Sequence, residues 1–507
     1  MTETGETTEA PSRRTETDLT SGPIGSTLLI FALPVLGSNV LQSINGSVNS
    51  IWVGRLIGEQ ALAATSNANL VMMLLLGAVF GVGMAATIMV GQAVGRRDLH
   101  GARKVVGTAA TFFFVVSVIC AALGWVYCEA ILRLLATPDD VLPLAVDYLR
   151  VIFLAVPGMN FLAFLMSVLR GAGDSRTPFW FMFLSVVLDI ILNPLLIGGY
   201  GPFPAMGIAG SALATLVGSL VPLVGLIVTI YWRNDPLRLA GPDFVLLKPD
   251  PAMLRVIISK GVPIGLQMVV ISVSALTLMG MVNSYGTHVT AAYGVAAQLW
   301  TYVQMPAMAI GAGVSSMAAQ NIGAGRWDRV GQITRAGVTF NLVLTTLLVG
   351  VLFLFDRHML GWFLPASSES IDVAVHINNY VSWSFIFFGV TIVLFSTVRS
   401  TGAVLPPLLI LAFSTLLVRT GFAYGMRGYF GQDALWISFP VGNLTSLVLA
   451  ILYYRYGGWR RANVDGAEES PVASQAPDTG FGQPCSEADP GRRARQGRDQ
   501  RPAMTSA

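Results

Sequence analysis

Charged residues are scarce in this sequence: Asp, Glu, Lys and Arg make up 12% of its 507 residues, whereas 53% are hydrophobic. Charged residues normally contribute about a quarter of a soluble globular protein, so this composition excludes an ordinary soluble domain. Several stretches contain no Asp, Glu, Lys or Arg at all, the longest being residues 261–325. Because a membrane-spanning helix needs about 20 apolar residues, these stretches indicate an integral membrane protein.

Cysteine and histidine are also scarce, with three and four residues respectively. Cys120 and Cys128 fall in one predicted helix and Cys485 lies near the C-terminus, so neither a disulfide framework nor a metal cluster is indicated. The histidines are scattered over predicted loops and helix ends. We therefore expect no metal ion, no cofactor and no enzymatic activity.

Gly, Pro and polar clusters divide the apolar stretches into an all-α polytopic fold with about twelve transmembrane helices. An N-lobe over residues 22–231 and a C-lobe over residues 260–460 are joined by a polar cytoplasmic connector, residues 232–259. Residues 1–21 and 461–507 are polar and charged, and we expect both to be disordered tails. The predicted helices lie near residues 26–51, 62–90, 105–127, 146–168, 177–197, 206–231, 260–283, 290–320, 336–355, 374–397, 404–424 and 434–455.

Lys and Arg are unevenly divided between the predicted loops. The side that holds both termini receives most of them, for example Arg96, Arg97, Arg103 and Lys104 in one loop. The positive-inside rule therefore predicts that both termini are cytoplasmic, and it explains the net charge of +3 without a nucleic-acid partner. We expect a multi-pass protein of the cell inner (plasma) membrane, monomeric, with the lipid bilayer and small-molecule substrates as its partners.

An internal repeat divides the chain into two halves. The segment Val90-Gly-Gln-Ala-Val-Gly95 recurs as Ala318-Ala-Gln-Asn-Ile-Gly323 at an offset of 228, and an offset of 229 aligns other positions. Each half contains about six helices, an even number, so both halves enter the membrane from the same side as parallel repeats. The residues that mark the repeat are Gln92, Gly95, Gln320, Gly323, Arg170 and Arg399.

One acid, Asp189, interrupts the apolar segment from Thr177 to Tyr231. An ionised Asp at the centre of a spanning helix costs about 2.5 to 3.5 kcal/mol on insertion scales, so a functional role is the default hypothesis. Asn193 lies one helical turn further on the same face, next to Pro194, which removes a backbone donor. The alternative is that Asp189 only pairs with a neighbouring helix.

Together, these motifs resemble the multidrug and toxic compound extrusion (MATE) family. The resemblance rests on the Gln92 and Gln320 segments, on Leu192-Asn-Pro194 and on Gly207-Ile-Ala-Gly-Ser-Ala-Leu-Ala-Thr215, and it covers roughly residues 22–460. It implies two six-helix lobes that form a V and open alternately to either side. It also implies export of amphipathic, often cationic compounds in exchange for H+ or Na+.

The chain departs from the family pattern at the acidic positions. Asn49 stands where the family usually has an Asp, and the usual order of Asn before Asp is reversed at Asp189 and Asn193. Sodium-coupled members carry acids at positions that hold Ile271 and Phe388 here. A sodium site of that type is therefore not expected in the C-lobe.

Our hypothesis is that Asp189, with Asn49, Asn193 and Thr215, forms a proton site in the N-lobe. Burial disfavours an ionised carboxylate, so the acid would hold a proton when occluded and release it into cytoplasmic water. Sodium coupling remains open, because a carboxylate with amide and hydroxyl oxygens can also ligate Na+. A second alternative, a lipid-linked saccharide flippase of the same superfamily, calls for a basic cavity, and the near absence of Arg and Lys from the predicted spans argues against it.

Polar, thioether and aromatic side chains at membrane depth are candidates for a substrate lining. Such side chains accept varied flat cations, but they equally join or pack helices. The candidates are Gln42, Asn45, Met268, Gln298, Trp300 and Met305.

Arg419 lies one residue beyond the repeat partner of Asp189. It is either a counter-charge in the C-lobe or a side chain that extends to the outer surface.

Overall fold

The computed structural model of the protein describes residues 18–135, 137–199, 204–363 and 370–462. Within these residues every regular element is helical. The α-helices of the first half are α1 (Ile24–Leu56), α2 (Glu59–Gly95), α3 (Leu99–Val126), α4 (Cys128–Leu134), α5 (Leu142–Ala172), α6 (Arg176–Gly198) and α7 (Gly207–Trp232). Those of the second half are α8 (Pro251–Asn283), α9 (Thr287–Gly323), α10 (Trp327–Leu360), α11 (Ser370–Val381), α12 (Phe385–Ser400), α13 (Leu405–Ala412), α14 (Thr420–Gly425), α15 (Arg427–Phe430) and α16 (Asp433–Tyr456).

Shorter helical turns connect several of these helices. A π-helical turn, Phe413–Arg419, joins α13 to α14, so that Leu405–Gly425 forms one continuous segment. The 3-10 turn Ser382–Ser384 joins α11 to α12 in the same way. Two further 3-10 turns, Gly241–Leu247 and Gly458–Arg461, lie in the connector and after α16.

Ten helical segments in the described residues are long and apolar enough to cross a membrane. Helices α2 and α9, at 37 residues each, are at least as long as any of the ten but begin with more polar sequences. Counting these two, the fold has a long helical pass for each predicted helix. The prediction of an all-α polytopic membrane protein is confirmed.

The two halves pack their helices in the same pattern. Helix α2 packs on α5 as α9 packs on α12, and α6 packs on α7 as the Leu405–Gly425 segment packs on α16. Equivalent helices also match in length, with 33 residues in α1 and α8 and 37 residues in α2 and α9. This correspondence agrees with the internal repeat of the sequence.

Among the described residues, apolar clusters join the halves on one side of the molecule only. We call this the proximal side; it holds the starts of α1 and α8 and the ends of α2 and α9. There, the first half of α1 packs on the end of α9 in one cluster, and the end of α2 shares another cluster with α8. On the opposite, distal side, one cluster contains only residues 53–212 and another only residues 278–439. The lobes therefore touch proximally and separate distally, as the two arms of a V.

The connector is shorter than the predicted residues 232–259. Asp250 caps α8, because its Oδ1 accepts hydrogen bonds from the backbone N–H groups of Ala252 and Met253. Helix α8 then continues unbroken to Asn283. Residues 251–259, which the sequence analysis placed in the connector, thus form the first turns of the seventh long helix.

The first described residues are held against the second half. Leu19 is fully buried, and its backbone oxygen accepts a hydrogen bond from the side chain of Asn321 at 3.0 Å. Arg326 and Arg329 donate to the backbone oxygens of Thr20 and Gly22. Residues 18–21, which fall within the predicted disordered tail, are therefore ordered. Residues 1–17 and 463–507, the rest of the two predicted tails, lie outside the described residues.

Candidate functional site

Asp189 lies in the interior of the first lobe, on the face of α6 that contacts α7. Its side chain is only 3% exposed, and its Oδ1 accepts a hydrogen bond from Thr215 Oγ1 at 3.2 Å. Gly218 eases this close approach of the two helices, since a Cβ at that position would lie 3.3 Å from the backbone oxygen of Ser185. The hydroxyl of Ser185 also donates to the backbone oxygen of Gly218. No Lys, Arg or His among the described residues pairs with Asp189.

Helix α1 completes the site from the opposite side. The side chain of Asn45 lies next to the Asp189 carboxylate. One turn further, Asn49 accepts a hydrogen bond from Ser211 Oγ at 2.8 Å and lies next to the buried Tyr148. Four helices of the first half, α1, α5, α6 and α7, therefore contribute to one polar cluster. We call it the Asp189 cluster: Asn45, Asn49, Tyr148, Asp189, Asn193, Ser211 and Thr215.

Asn193 is fully buried next to this acid. Its Nδ2 donates to the backbone oxygen of Asp189 at 2.9 Å, which satisfies the acceptor one turn earlier in α6. Its Oδ1 and the Oδ1 of Asn45 are both buried and have no hydrogen-bond partner among the described atoms. Since buried polar atoms are normally paired, two free acceptor oxygens close to a carboxylate are suited to a proton donor or a small cation.

The structure brings together the four residues assigned to cation coupling, Asp189, Asn193, Asn49 and Thr215. It adds Asn45, which the sequence analysis assigned to the substrate lining. Ser211 and Tyr148 were missed. Ser211 lies one helical turn before Thr215, on the same face of α7, so the helical spacing could have indicated it. No sequence pattern connects Tyr148 on α5 with α1.

The remaining substrate-lining candidates do not form one surface. Gln42 is exposed, and Gln298 donates to the hydroxyl of Tyr302 on its own helix. Met268 is half-buried at the contact of α8 with Gly77 of α2.

Trp300 and Met305 lie in the packed interior instead, only 3% and 8% exposed. Trp300 is held there because its Nε1 donates to Asn378 Oδ1 at 2.8 Å and its ring contacts Phe385 and Phe439. In this conformation neither side chain is accessible to a substrate.

A second buried acid, Asp356, was missed by the sequence analysis, which recognised no acid at membrane depth other than Asp189. Asp356 is 6% exposed and its Oδ1 accepts a hydrogen bond from Asn378 Nδ2 at 2.7 Å. It follows directly on the predicted span 336–355, after a kink at Phe355, where the backbone is non-helical (φ −117°, ψ 15°), and a further helical stretch then ends at Leu360. No group of three or more His, Cys, Asp or Glu in the described residues could hold a metal ion.

The repeat motifs meet where the lobes touch. Gln92 Nε2 donates to the backbone oxygen of Ser400 at 2.6 Å, and Gln320 Nε2 donates to the backbone oxygen of Gly171 at 3.0 Å. A Cβ at Gly95 would lie 2.0 Å from the backbone oxygen of Gln320, so only glycine permits this contact. A Cβ at Gly323 would likewise lie 2.0 Å from the backbone oxygen of Gln92.

The two arginines of the repeat end equivalent helices. Arg170 and Arg399 lie in the last turns of α5 and α12, and each accepts a backbone hydrogen bond from a left-handed glycine, Gly173 or Gly402. Arg399 is 7% exposed and donates to Gln267 Oε1 at 3.2 Å. The hydrogen bonds that cross between the lobes at this point come from the two glutamines, whereas Arg399 bonds within its own lobe.

A family model described as MatE matches the chain twice, over residues 34–195 and 263–424. The two matches are displaced by 229 residues at both ends, the offset that relates Arg170 to Arg399. Over 437 residues the chain is 35% identical to the probable multidrug resistance protein YoeA of Bacillus subtilis (strain 168), covering 86% of this chain and 94% of that protein. The chain belongs to the MATE family of multidrug efflux transporters.

The chain is also similar to the FAD transporter of Shewanella oneidensis, to which it is 29% identical over 68% of this chain and 75% of that protein. Among solved structures, the outward-facing conformation of a multidrug resistance MATE family transporter of the MOP superfamily superimposes with a TM-score of 0.80, at 20% identity, over 87% of this chain and 97% of that chain. This likeness supports the MATE fold. MATE proteins are transporters, not enzymes.

The two C-lobe positions at which the sequence analysis compared the chain with sodium-coupled members hold apolar residues, Ile271 and Phe388. Ile271 is 40% exposed on α8, and Phe388 packs against the distal core of the second lobe. The Asp189 cluster is therefore the set of polar residues in this MATE protein that corresponds to the predicted coupling site.

Proposed function

We propose that this MATE protein exports amphipathic small molecules in exchange for protons, and that Asp189 is the group that binds the proton. The observation that carries the proposal is that Asp189 is buried and has no cationic partner among the described residues. A buried carboxylate without a counter-charge costs several kcal/mol, so it binds a proton or a cation. The site lies in the first lobe, one helix away from the contact between the lobes.

Helix α1 connects the site with that contact. Its second half holds Asn45 and Asn49 in the Asp189 cluster, and its first half packs on α9 of the other lobe. When Asp189 binds a proton, the carboxylate next to Asn45 loses its charge. Protonation therefore changes the interaction between α6 and α1. We infer that α1 transmits the protonation state of Asp189 to the lobe contact and thus to the opening of the V.

The driving force for export is the proton gradient. A membrane potential contributes about 2.3 kcal/mol per charge per 100 mV, and about 1.4 kcal/mol corresponds to a tenfold concentration ratio. One proton per cycle therefore supports a substrate gradient of tenfold or more. Because Lys and Arg are concentrated on the proximal side, we place both termini in the cytoplasm and the protein in the inner (plasma) membrane.

Sodium is the competing coupling ion. The unpaired Oδ1 atoms of Asn45 and Asn193, with the carboxylate and the Thr215 hydroxyl, are oxygen donors of the type that Na+ accepts. Measurement of efflux at a fixed pH with and without sodium separates the two ions. If efflux depends on sodium in the absence of a pH gradient, Na+ rather than H+ is the coupling ion.

The charge of the cargo is a separate part of the proposal. Cationic compounds are the class expected from the MATE family, and the Asp189 carboxylate would attract them. However, the relative named FAD transporter has a planar cargo that carries phosphate groups. Cargo of this fold is therefore not restricted to cations.

The test is proton-driven dye efflux in proteoliposomes with the variant Asp189→Asn. We expect at least a tenfold loss of pH-driven transport and of substrate-induced proton flux. Asp356→Asn is the matched control, because it removes another buried carboxylate in the other lobe, and we expect it to retain coupling. Undiminished proton flux in Asp189→Asn would reject the role of Asp189.

A further inference from the structure

Arg419 occupies in the second lobe the place that Asp189 occupies in the first. In the first lobe, a Cβ at Gly218 of α7 would meet the Ser185 backbone oxygen at 3.3 Å and the Asp189 Cβ at 3.5 Å. In the second lobe, a Cβ at Gly442 of α16 would meet the Ser414 backbone oxygen at 3.3 Å and the Arg419 Cβ at 2.9 Å. The same helix contact thus presents an acid in one lobe and a base in the other.

The π-helical turn explains why this equivalence is offset in the sequence. Ser414 follows Ser185 by 229 residues, but Arg419 follows Asp189 by 230. The π-turn Phe413–Arg419 contains the one additional residue and rotates Arg419 into the contact with α16. Such π-turns are found frequently at functional sites. The next equivalent pair is Asn193 and Ala423, both fully buried.

Arg419 has no acidic partner within the described part of the chain. Its Nε is buried without a hydrogen-bond partner. Two acids of this lobe have other partners. Asp433 pairs with His376 at 2.7 Å, and Asp356 accepts a hydrogen bond from Asn378 at 2.7 Å. A guanidinium at membrane depth is costly without a counter-ion, so this site calls for an anion that the described residues do not supply.

The Arg419 guanidinium packs on an aromatic ring, and a row of further aromatic rings continues from it. The Arg419 Cζ lies 3.5 Å from the centroid of the Phe439 ring, a distance that corresponds to face-to-face contact. This arrangement leaves the N–H donors at the edge of the group available, because they lie in its plane. Phe439 packs on Trp300, and Trp300 packs on Tyr293, whose half-buried ring is stacked with Trp436.

We propose that the second lobe binds the anionic group of a planar aromatic cargo, with Arg419 pairing with its carboxylate or phosphate and Tyr293 offering a surface for its ring. The inference rests on the proposed export function and names the class of cargo. Arginine pairs with such oxyanions through two parallel hydrogen bonds, and flat rings stack on aromatic side chains. The proton on Asp189 and the anion on Arg419 then occupy equivalent sites in separate lobes, so that neither displaces the other directly.

The test is equilibrium binding of two flavins that differ by one phosphate. Riboflavin 5′-phosphate and riboflavin are titrated against the full-length protein in phosphatidylcholine nanodiscs, with flavin fluorescence anisotropy as the readout. We expect the wild type to bind the phosphate form at least tenfold more tightly, and Arg419→Gln to remove that preference. Arg419→Lys keeps the charge without the planar fork and should retain part of the preference, which distinguishes loss of the site from loss of folding.

Nanodiscs that contain phosphatidylglycerol distinguish a soluble anion from a lipid headgroup. An unchanged affinity for riboflavin 5′-phosphate in these nanodiscs supports the proposal, whereas loss of binding assigns the site to the lipid and overturns it. Equal affinities for both flavins in the wild type also overturn it. Binding is measured here without a proton gradient. A loss of proton coupling in the Asp189→Asn transport assay is therefore separable from a loss of the flavin preference that depends on Arg419.

Discussion

Gln92 of the first lobe donates a side-chain hydrogen bond to the backbone oxygen of Ser400 in the second lobe, at 2.6 Å. The reciprocal bond from Gln320 to Gly171 places a matching contact across the repeat axis. Both bonds are buried, and both lie where the ends of α2 and α9 cross. They hold the two lobes together on the proximal side, and a transporter that opens alternately to either side, as we propose for this protein, has to break them.

Gly95→Ala should therefore shift the protein away from this conformation. The added Cβ would lie 2.0 Å from the backbone oxygen of Gln320, which cannot rotate away as a side chain could. Pulsed EPR distances between labels at Leu134 and Tyr429, both highly exposed on the distal side of different lobes, should shorten as the distal side closes. Gly350→Ala is the control, because nothing lies within 4 Å of its added Cβ. An unchanged distance distribution in Gly95→Ala would show that the contact does not govern the opening.

Asn378→Ala should destabilise the second lobe. The Asn378 side chain accepts a hydrogen bond from Trp300 and donates one to Asp356, so its loss leaves two buried polar groups unpaired. Each such group costs about 1 to 3 kcal/mol. We expect a clearly lower Tm in detergent by intrinsic tryptophan fluorescence. The exposed Asn283→Ala serves as the comparison and should change Tm little; equal Tm values for the two variants would contradict the prediction.

Stability of the connector should depend on pH through Asp250. Its hydrogen bond with the Lys104 ammonium, at 2.5 Å, and those with the backbone at the start of α8 hold the pKa of this carboxyl below its usual value of 3.8. A carboxyl whose folded pKa is depressed stabilises the fold above its unfolded pKa and loses that contribution as the pH falls through the folded pKa.

Asp250→Asn tests this dependence, because the amide can still cap α8 but cannot pair with Lys104. The Tm difference between wild type and variant should be small and positive at pH 7 and should vanish below the pKa. Asp139→Asn controls for the loss of one exposed negative charge. A difference that persists unchanged down to pH 3 would assign the effect to the cap rather than to the ion pair.

The sequence predicted the large features because they depend on composition and spacing. Apolar runs located the helices, and the recurrence of the Gln92 segment at Gln320 indicated the two halves. The lone carboxylate at position 189 marked the centre of the site. The partners of that acid on its own helix and on α7 also followed from helical spacing and motif resemblance.

The features that were missed depend on packing between distant helices or on irregular backbone. Nothing in the sequence indicates that Tyr148 on α5 meets Asn49 on α1. The π-turn before Arg419 changes the offset by one residue, so the sequence alignment left Arg419 beside the equivalent position rather than in it. Trp300 was assigned to a cavity because aromatic residues suit both a lining and a core, and only the contacts distinguish the two.

Asn45 provides the sharpest distinction between a coupling role and a substrate-lining role. Its position next to Asp189 predicts that Asn45→Ala lowers pH-driven efflux of every substrate by a similar factor, about tenfold, because the proton site serves every cycle. A residue that only lines the cavity would instead change KM for some substrates and leave others unaffected. Gln42→Ala, at the exposed position one turn earlier on α1, is the matched control and should stay within about twofold of the wild type, as is usual for surface substitutions. Efflux of several dyes of different size and charge, measured for both variants at one imposed pH gradient, decides between a uniform loss and a substrate-specific one.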